Sequence, residues 1–313
     1  MKIGIVGAGQ VGATSAYAMM LRGVGSEIVL VDRNADLAAA QARDILDATP
    51  WSYPVRLRAG ETADFEGAEI VVFAAGSAQK PGETRLDLLS RNAEILGSVV
   101  PAVLAAAPNT IFLVASNPVD VMTRIATVIA GRHGVPPERV IGSGTLLDSA
   151  RFRTMLAARL EISPAYIDAR VLGEHGDSEV LHWSGAVAGG LPVADAARQM
   201  GCDLTQADRD RIDTAVRRAA YAIIEGKGAT WFGIGGGIAR MAQIILGDER
   251  ALITCSISMP ECLGVRDVAL SLPRVLGKGG IAATFMPNLD PGELAALKRS
   301  AEILKQAAEG VPL

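Results

Sequence analysis

Apolar and polar positions in the first half of the chain alternate between two periods. Short β-branched runs at 3–6, 27–31, 69–74, 110–114 and 140–141 are separated by helical stretches at 11–22, 36–49, 84–106 and 119–131. Such alternation predicts a parallel sheet covered by helices on both faces. From about residue 145 the pattern changes. A helix over 145–160 leads to a strand-like run at 169–172. Long helical segments at 205–225 and 229–246 come next, then close-spaced strands at 251–258 and 268–276. Turn signals follow at Gly277-Lys278-Gly279-Gly280, and an amphipathic helix covers 291–309. This half reads as α+β. Neither a low-complexity linker nor an internal repeat divides the two. The sequence therefore predicts two units, 1–144 and 145–313, that share a close interface.

Composition narrows the class. Half of the 313 residues are hydrophobic and 20% are charged, which is enough for a sizeable packed core. Net charge is −4 with acids and bases mixed, so nothing resembles an electrostatic footprint for nucleic acid or an anionic membrane. Cys202, Cys255 and Cys262 are odd in number and lack metal-type spacing. They read as reduced thiols, and no metal site is expected. The N-terminus runs straight into a strand, with no signal-type segment. No uncharged run is long enough to span a bilayer. A soluble cytosolic protein is expected.

Gly7-Ala8-Gly9-Gln10-Val11-Gly12 follows the first strand and opens the first helix. A bare G-x-G-x-x-G is a weak signal, but this context is the one that dinucleotide binding requires. The glycines permit a tight turn, close backbone approach to a pyrophosphate, and helix-on-sheet packing. The helix N-terminus then offers exposed N–H groups to the phosphates. Asp32 closes the second strand, where an acid can accept hydrogen bonds from both ribose hydroxyls and repel a 2′-phosphate. That favours NAD over NADP, although Arg33 next door weakens the exclusion. A ligand-free tight turn is the plainer reading, and motif, context and acid together outweigh it.

Polar residues gather at the ends of other elements. His175 lies in Gly173-Glu174-His175-Gly176-Asp177-Ser178, and histidine suits reversible proton transfer near neutral pH. A solvated loop histidine is the alternative. Asp148 and Arg151 share one face of a helix, where an intrahelical ion pair is the ordinary reading. Asn117-Pro118-Val119-Asp120 follows the fourth strand, either as a turn or as a site beyond the carboxyl ends of a parallel sheet. The polar segment from Gly76 to Arg85 reads as a surface loop or as a hinged lid carrying Gln79 and Arg85. Thr230 stands at an expected helix start, where it could simply cap.

Taken in order, these motifs resemble the L-lactate/malate dehydrogenase family, and within it the bacterial lactate-type branch. The carriers are Gly7-Ala8-Gly9-Gln10-Val11-Gly12, Ala78-Gln79-Lys80-Pro81-Gly82-Glu83-Thr84-Arg85, Ser116-Asn117-Pro118-Val119-Asp120, Gly142-Ser143-Gly144-Thr145, Leu147-Asp148-Ser149-Ala150-Arg151-Phe152-Arg153 and the His175 segment. The resemblance runs nearly the full length. It implies a Rossmann-type domain, NAD as cofactor, and reversible reduction of pyruvate to L-lactate. It further implies that His175 is the acid/base, Asp148 its orienting partner, Arg151 the carboxylate clamp and Arg85 the stabiliser of alkoxide charge. Asn117 and Thr230 would line the substrate pocket. Gly7, Gly9, Val11, Gly12, Asp32, Gly76, Ser77, Ser98, Ala115, Asn117, Ser143 and Ile234 would meet the cofactor. A homotetramer is expected.

Two positions refine this. Malate-type members carry Arg where this chain has Gln79. A neutral amide leaves the second carboxylate of oxaloacetate unpaired in a dry pocket, at a cost of several kcal/mol, or roughly 10³-fold in discrimination. Pyruvate is the expected substrate. Many bacterial members are activated by fructose 1,6-bisphosphate through an Arg and a His. Arg153 matches the former, but Asp168 stands where the His would be. A carboxylate repels a bisphosphate, so weak or absent activation is expected, with Arg170 a possible substitute cation.

Overall fold

The structure, a computed structural model, describes residues 1–76 and 85–311, with the side chains of Arg85 and Leu86 excluded. The first half runs β1 (Lys2–Val6), α1 (Gln10–Leu21), β2 (Glu27–Val31), α2 (Ala35–Asp47), β3 (Arg56–Ala59), β4 (Ala68–Phe73), α3 (Arg85–Ala106), β5 (Ile111–Val114), α4 (Val119–Gly131) and β6 (Val140–Gly142). All these strands pair in parallel, in the order β6-β5-β4-β1-β2-β3. This is the doubly wound Rossmann arrangement, whose switch point lies between β1 and β4. Central strands such as β5 are buried at every residue, which is why they read as unbroken apolar runs.

The second half contains α5 (Leu146–Leu160), β7 (Ile167–Asp168), β8 (Val171–Leu172), β9 (Val180–Leu181), β10 (Val187–Ala188), β11 (Leu191–Pro192), α6 (Val193–Gln199), α7 (Gln206–Lys227), α8 (Phe232–Leu246), β12 (Ala251–Cys262), β13 (Val265–Gly277), β14 (Gly280–Thr284) and α9 (Pro291–Ala308). The long hairpin β12–β13 and strand β14 are antiparallel. They extend the first sheet, with β12 lying against β6. The close interface expected between the halves thus takes the form of a shared sheet.

Three apolar clusters hold this together. Phe73, Phe112, Leu96 and Val103 lie on one face of the sheet with α3, α4 and α9. Ile5, Ile28, Leu30, Ile238 and Met241 lie on the other with α1, α2 and α8. Phe152, Leu156, Ile212 and Val216 form a third cluster within the second half. Helix α3 is long and apolar enough to cross a membrane by composition. Here Leu89, Ala93, Leu96, Val100 and Val103 are buried in the protein core instead.

The expected first-half elements are present to within a residue or two, except that β3 was not anticipated. Its sequence Arg-Leu-Arg-Ala is short and polar, as suits an edge. In the second half, the run at 169–172 forms only the two-residue β8, and β14 is an additional strand. Helix α8 begins at Phe232 rather than 229, so Thr230 lies outside the helix and Trp231 takes the cap position.

Candidate active site

Parallel strands deliver their following loops to one edge of the sheet, and the site is built there. After β1, Gly7 adopts φ +99°, a conformation that L side chains rarely take. A Cβ on Gly12 would lie 1.8 Å from Gly7 O, so α1 can approach β1 this closely only with glycine. Over Gly9, the space that a Cβ would enter is open. Asp32 follows β2, and its two oxygens accept from Ala8 N at 2.8 Å and Asn34 N at 2.9 Å. It thereby ties the glycine turn to the end of β2. A carboxylate has about four acceptor positions, so capacity remains for ribose hydroxyls. These features fit a dinucleotide: an open turn of backbone N–H groups at a helix N-terminus, with an acid at the neighbouring strand end.

Of the other residues expected to meet the cofactor, most lie at the starts of α1 and α8 or just beyond β4, β5 and β6, whereas Ser98 lies well along α3. Val11 is half-buried in the first turn of α1, and Gly76 is exposed beyond β4. Ala115 N donates to Phe73 O at 2.9 Å, and Ser143 N to Val114 O at 2.9 Å, so each extends the sheet ladder by one bond. Ile234 packs against the α1-side core from the first turn of α8. Ser98 is exposed on α3 with its hydroxyl turned back to Ile95 O at 3.0 Å. Ser77 and Gln79 lie outside the described residues, as does the Arg85 side chain at the start of α3.

The loop carrying His175 is suspended from three elements by three consecutive N–H groups. Gly173 N donates to Ser271 O of β13 at 2.9 Å, Glu174 N to Ser300 Oγ of α9 at 2.8 Å, and His175 N to Asp120 Oδ2 of α4 at 2.8 Å. The His175 ring then meets α5, with Nδ1 lying 2.6 Å from Asp148 Oδ2. Asp148 is 2% exposed, in the first turn of its helix, where the backbone dipole favours a negative charge. Its other oxygen accepts from Arg151 Nη1 at 2.9 Å. The ion pair expected from the three-residue spacing and the orienting contact to His175 are therefore both present, on one carboxylate.

Burial alone would push the His175 pKa down. The charge and hydrogen bond of Asp148, with the charges of Asp120 and Glu179, outweigh it and push the value up to about 9. Two carboxyls unassigned in the sequence reading join the cluster. Burial raises Asp120 to about 6, against the pull of the nearby Ser256 hydroxyl and His175. Burial and the neighbouring Asp148 charge raise the Glu179 pKa, opposed by Arg217 and His175. Asp120 had a faint sequence signal, an acid in the first helical turn beyond a strand end. Nothing local marked Glu179 as buried.

Asn117 stands exposed beyond β5, and its carbonyl accepts from Asn92 Nδ2 at 3.4 Å. Thr230 is half-buried in the segment before α8. Arg153, Asp168 and Arg170 lie apart from His175, around a separate cleft of about 450 Å³ that is also lined by Tyr166 and Leu252. There Arg170 Nη2 pairs with Asp168 Oδ2 at 2.6 Å.

Residues 1–142 match the model of the lactate/malate dehydrogenase NAD binding domain, and residues 145–311 match that of the alpha/beta C-terminal domain. The chain belongs to the lactate/malate dehydrogenase family. It is 56% identical to the L-lactate dehydrogenase of Thermus aquaticus over 99% of both chains. Identity to the L-lactate dehydrogenase of Allorhizobium ampelinum is 54% over the whole of both. Among solved structures, it superposes with TM-score 0.95 on the ligands-bound minor L-lactate dehydrogenase of Enterococcus mundtii, at 37% identity, covering 100% of this chain and 98% of that one. The expected family, fold class and NAD cofactor are thus borne out, and the protein is an NAD-dependent oxidoreductase of this family.

Proposed function

We propose that the protein is an L-lactate dehydrogenase that interconverts pyruvate and L-lactate. The observation that carries this reading is the contact set His175–Asp148–Arg151, which joins a proton carrier to a carboxylate clamp. NADH, which the glycine turn and Asp32 would hold, would supply the hydride when bound. His175 gives its proton to the carbonyl oxygen through Nε2, while Asp148 holds Nδ1 and balances the imidazolium charge. Arg151 grips the substrate carboxylate with the N–H donors that do not bond Asp148, a fork that lysine could not copy. Arg85 stabilises the developing alkoxide, and Asn117 and Thr230 bound the pocket. In this reading residues 1–144 hold the dinucleotide and residues 145–313 supply the proton carrier and the clamp. Assembly as a homotetramer and a cytoplasmic location are part of the same proposal.

Gln79 sets the choice of acid, because an amide leaves a second substrate carboxylate without a partner. Consumption of NADH, followed at one wavelength with pyruvate and with oxaloacetate, tests the reading directly. Pyruvate should give the higher kcat/KM, and Gln79→Arg should shift preference toward oxaloacetate by roughly 10³-fold. Faster turnover of oxaloacetate by the parent would favour a malate dehydrogenase. An unchanged ratio in the variant would sink the assignment to Gln79.

A further inference from the structure

Asp120 lies at the meeting point of four elements. It occupies the first turn of α4, three residues after Asn117, and is 2% exposed. One oxygen holds the backbone N–H of His175, and the Ser256 hydroxyl of β12 lies nearby. On β13 lies Arg274, fully buried, with its guanidinium bonded to neutral groups: the carbonyls of Cys255 and Leu270, Thr284 Oγ1 and Met259 Sδ. Its charge acts on Asp120. A buried carboxylate is costly and is retained at low cost only where fixed dipoles or charges compensate it. Here the Ser256 hydroxyl, the His175 N–H, the N-terminus of α4 and the Arg274 charge all act in that direction.

We propose that Asp120 is a positioning residue, which anchors the backbone of His175 and lends the protonated ring a second buried counter-charge beside that of Asp148. The inference rests on the acid/base reading of His175. Ser300 on α9, which holds the same loop, supplies the comparison. Its hydroxyl holds the adjacent Glu174 N–H at 2.8 Å without carrying charge. A purely structural anchor would behave like Ser300, and a charged one would not. Among the described residues, the other ionisable groups around the ring include Asp148 and Arg151 on α5, Glu174 and Glu179 of the loop, and Arg217 on α7, which bonds the carbonyls of Asp177 and Glu179.

The experiment compares Asp120→Asn, Asp120→Ala and Ser300→Ala in the full chain, reading the pH dependence of kcat/KM for pyruvate alongside NADH binding by fluorescence. Pyruvate reduction needs protonated His175, so kcat/KM falls as pH rises through its pKa. Asp120→Asn keeps an acceptor for the His175 N–H and removes the charge. It should move this alkaline limb roughly one unit toward lower pH, with NADH affinity unchanged. Asp120→Ala should in addition lower kcat by about 10-fold or more. Ser300→Ala should leave the limb in place. A limb unmoved in Asp120→Asn, or moved equally in Ser300→Ala, would overturn the proposal; if the alanine variant does not fold, the asparagine variant decides. A limb absent from the parent, or persisting in His175→Gln, would instead overturn the reading of His175 itself.

Discussion

Asp148 carries two obligations with one carboxylate, and the consequences separate by pH. With the His175 pKa at about 9, pyruvate reduction should hold its rate through neutrality and decline near that value, whereas lactate oxidation should rise with pH over the same range. The sign for stability follows. The folded value lies above the ordinary 6.5, so the charged pair contributes fully below pH 6.5, and its contribution is lost as pH rises through about 9. Asp148→Asn should bring the alkaline limb of kcat/KM down toward neutrality and lower turnover at pH 8 by about 10²-fold or more. It should also loosen Arg151, raising KM for pyruvate. A profile superimposable on the parent would refute the role. His175, Asp148 and Arg151 were legible because each sits in a compact motif with a chemical signature. Asp120 and Glu179 owe their character to burial by α4, α7 and β13, which no local pattern records.

At the scale of elements, the first turn of α1 is sharply specified. Gly12→Ala would drive a methyl into the Gly7 carbonyl and prise α1 from β1. NADH affinity should fall by about 10-fold or more, with a loss of stability of about 1 kcal/mol or more. Fluorescence titration and chemical denaturation read the two effects, and wild-type affinity would contradict the tight-turn account. The first-half elements were legible because period and length are local properties. Helix α4, for instance, has the same limits in sequence pattern and in structure. Strands β3 and β14 escaped notice because edges are short and need no apolar run. That β12 lies against β6 was not readable either, since an apolar strand does not encode its partner.

The whole molecule offers a second cleft, far in sequence from the glycine turn. Arg153 lines it, but the Asp168 carboxylate faces the same space and already holds Arg170. Arg170 is therefore partly neutralised as a substitute cation. Fructose 1,6-bisphosphate should change initial rates at sub-saturating pyruvate little or not at all, and a clear drop in apparent KM would contradict this.

A parallel half ending at β6 would present a row of unsatisfied N–H and C=O groups along its rim, open to pairing with another molecule. Strand β12 occupies that rim, and β13 and β14 carry the ladder onward. What remains unpaired is slight. At one margin is the five-residue β14, and at the other the four-residue β3 with Arg56 and Arg58. The second half of the chain thus guards the first against aggregation, because it leaves little backbone for a neighbour to zip onto.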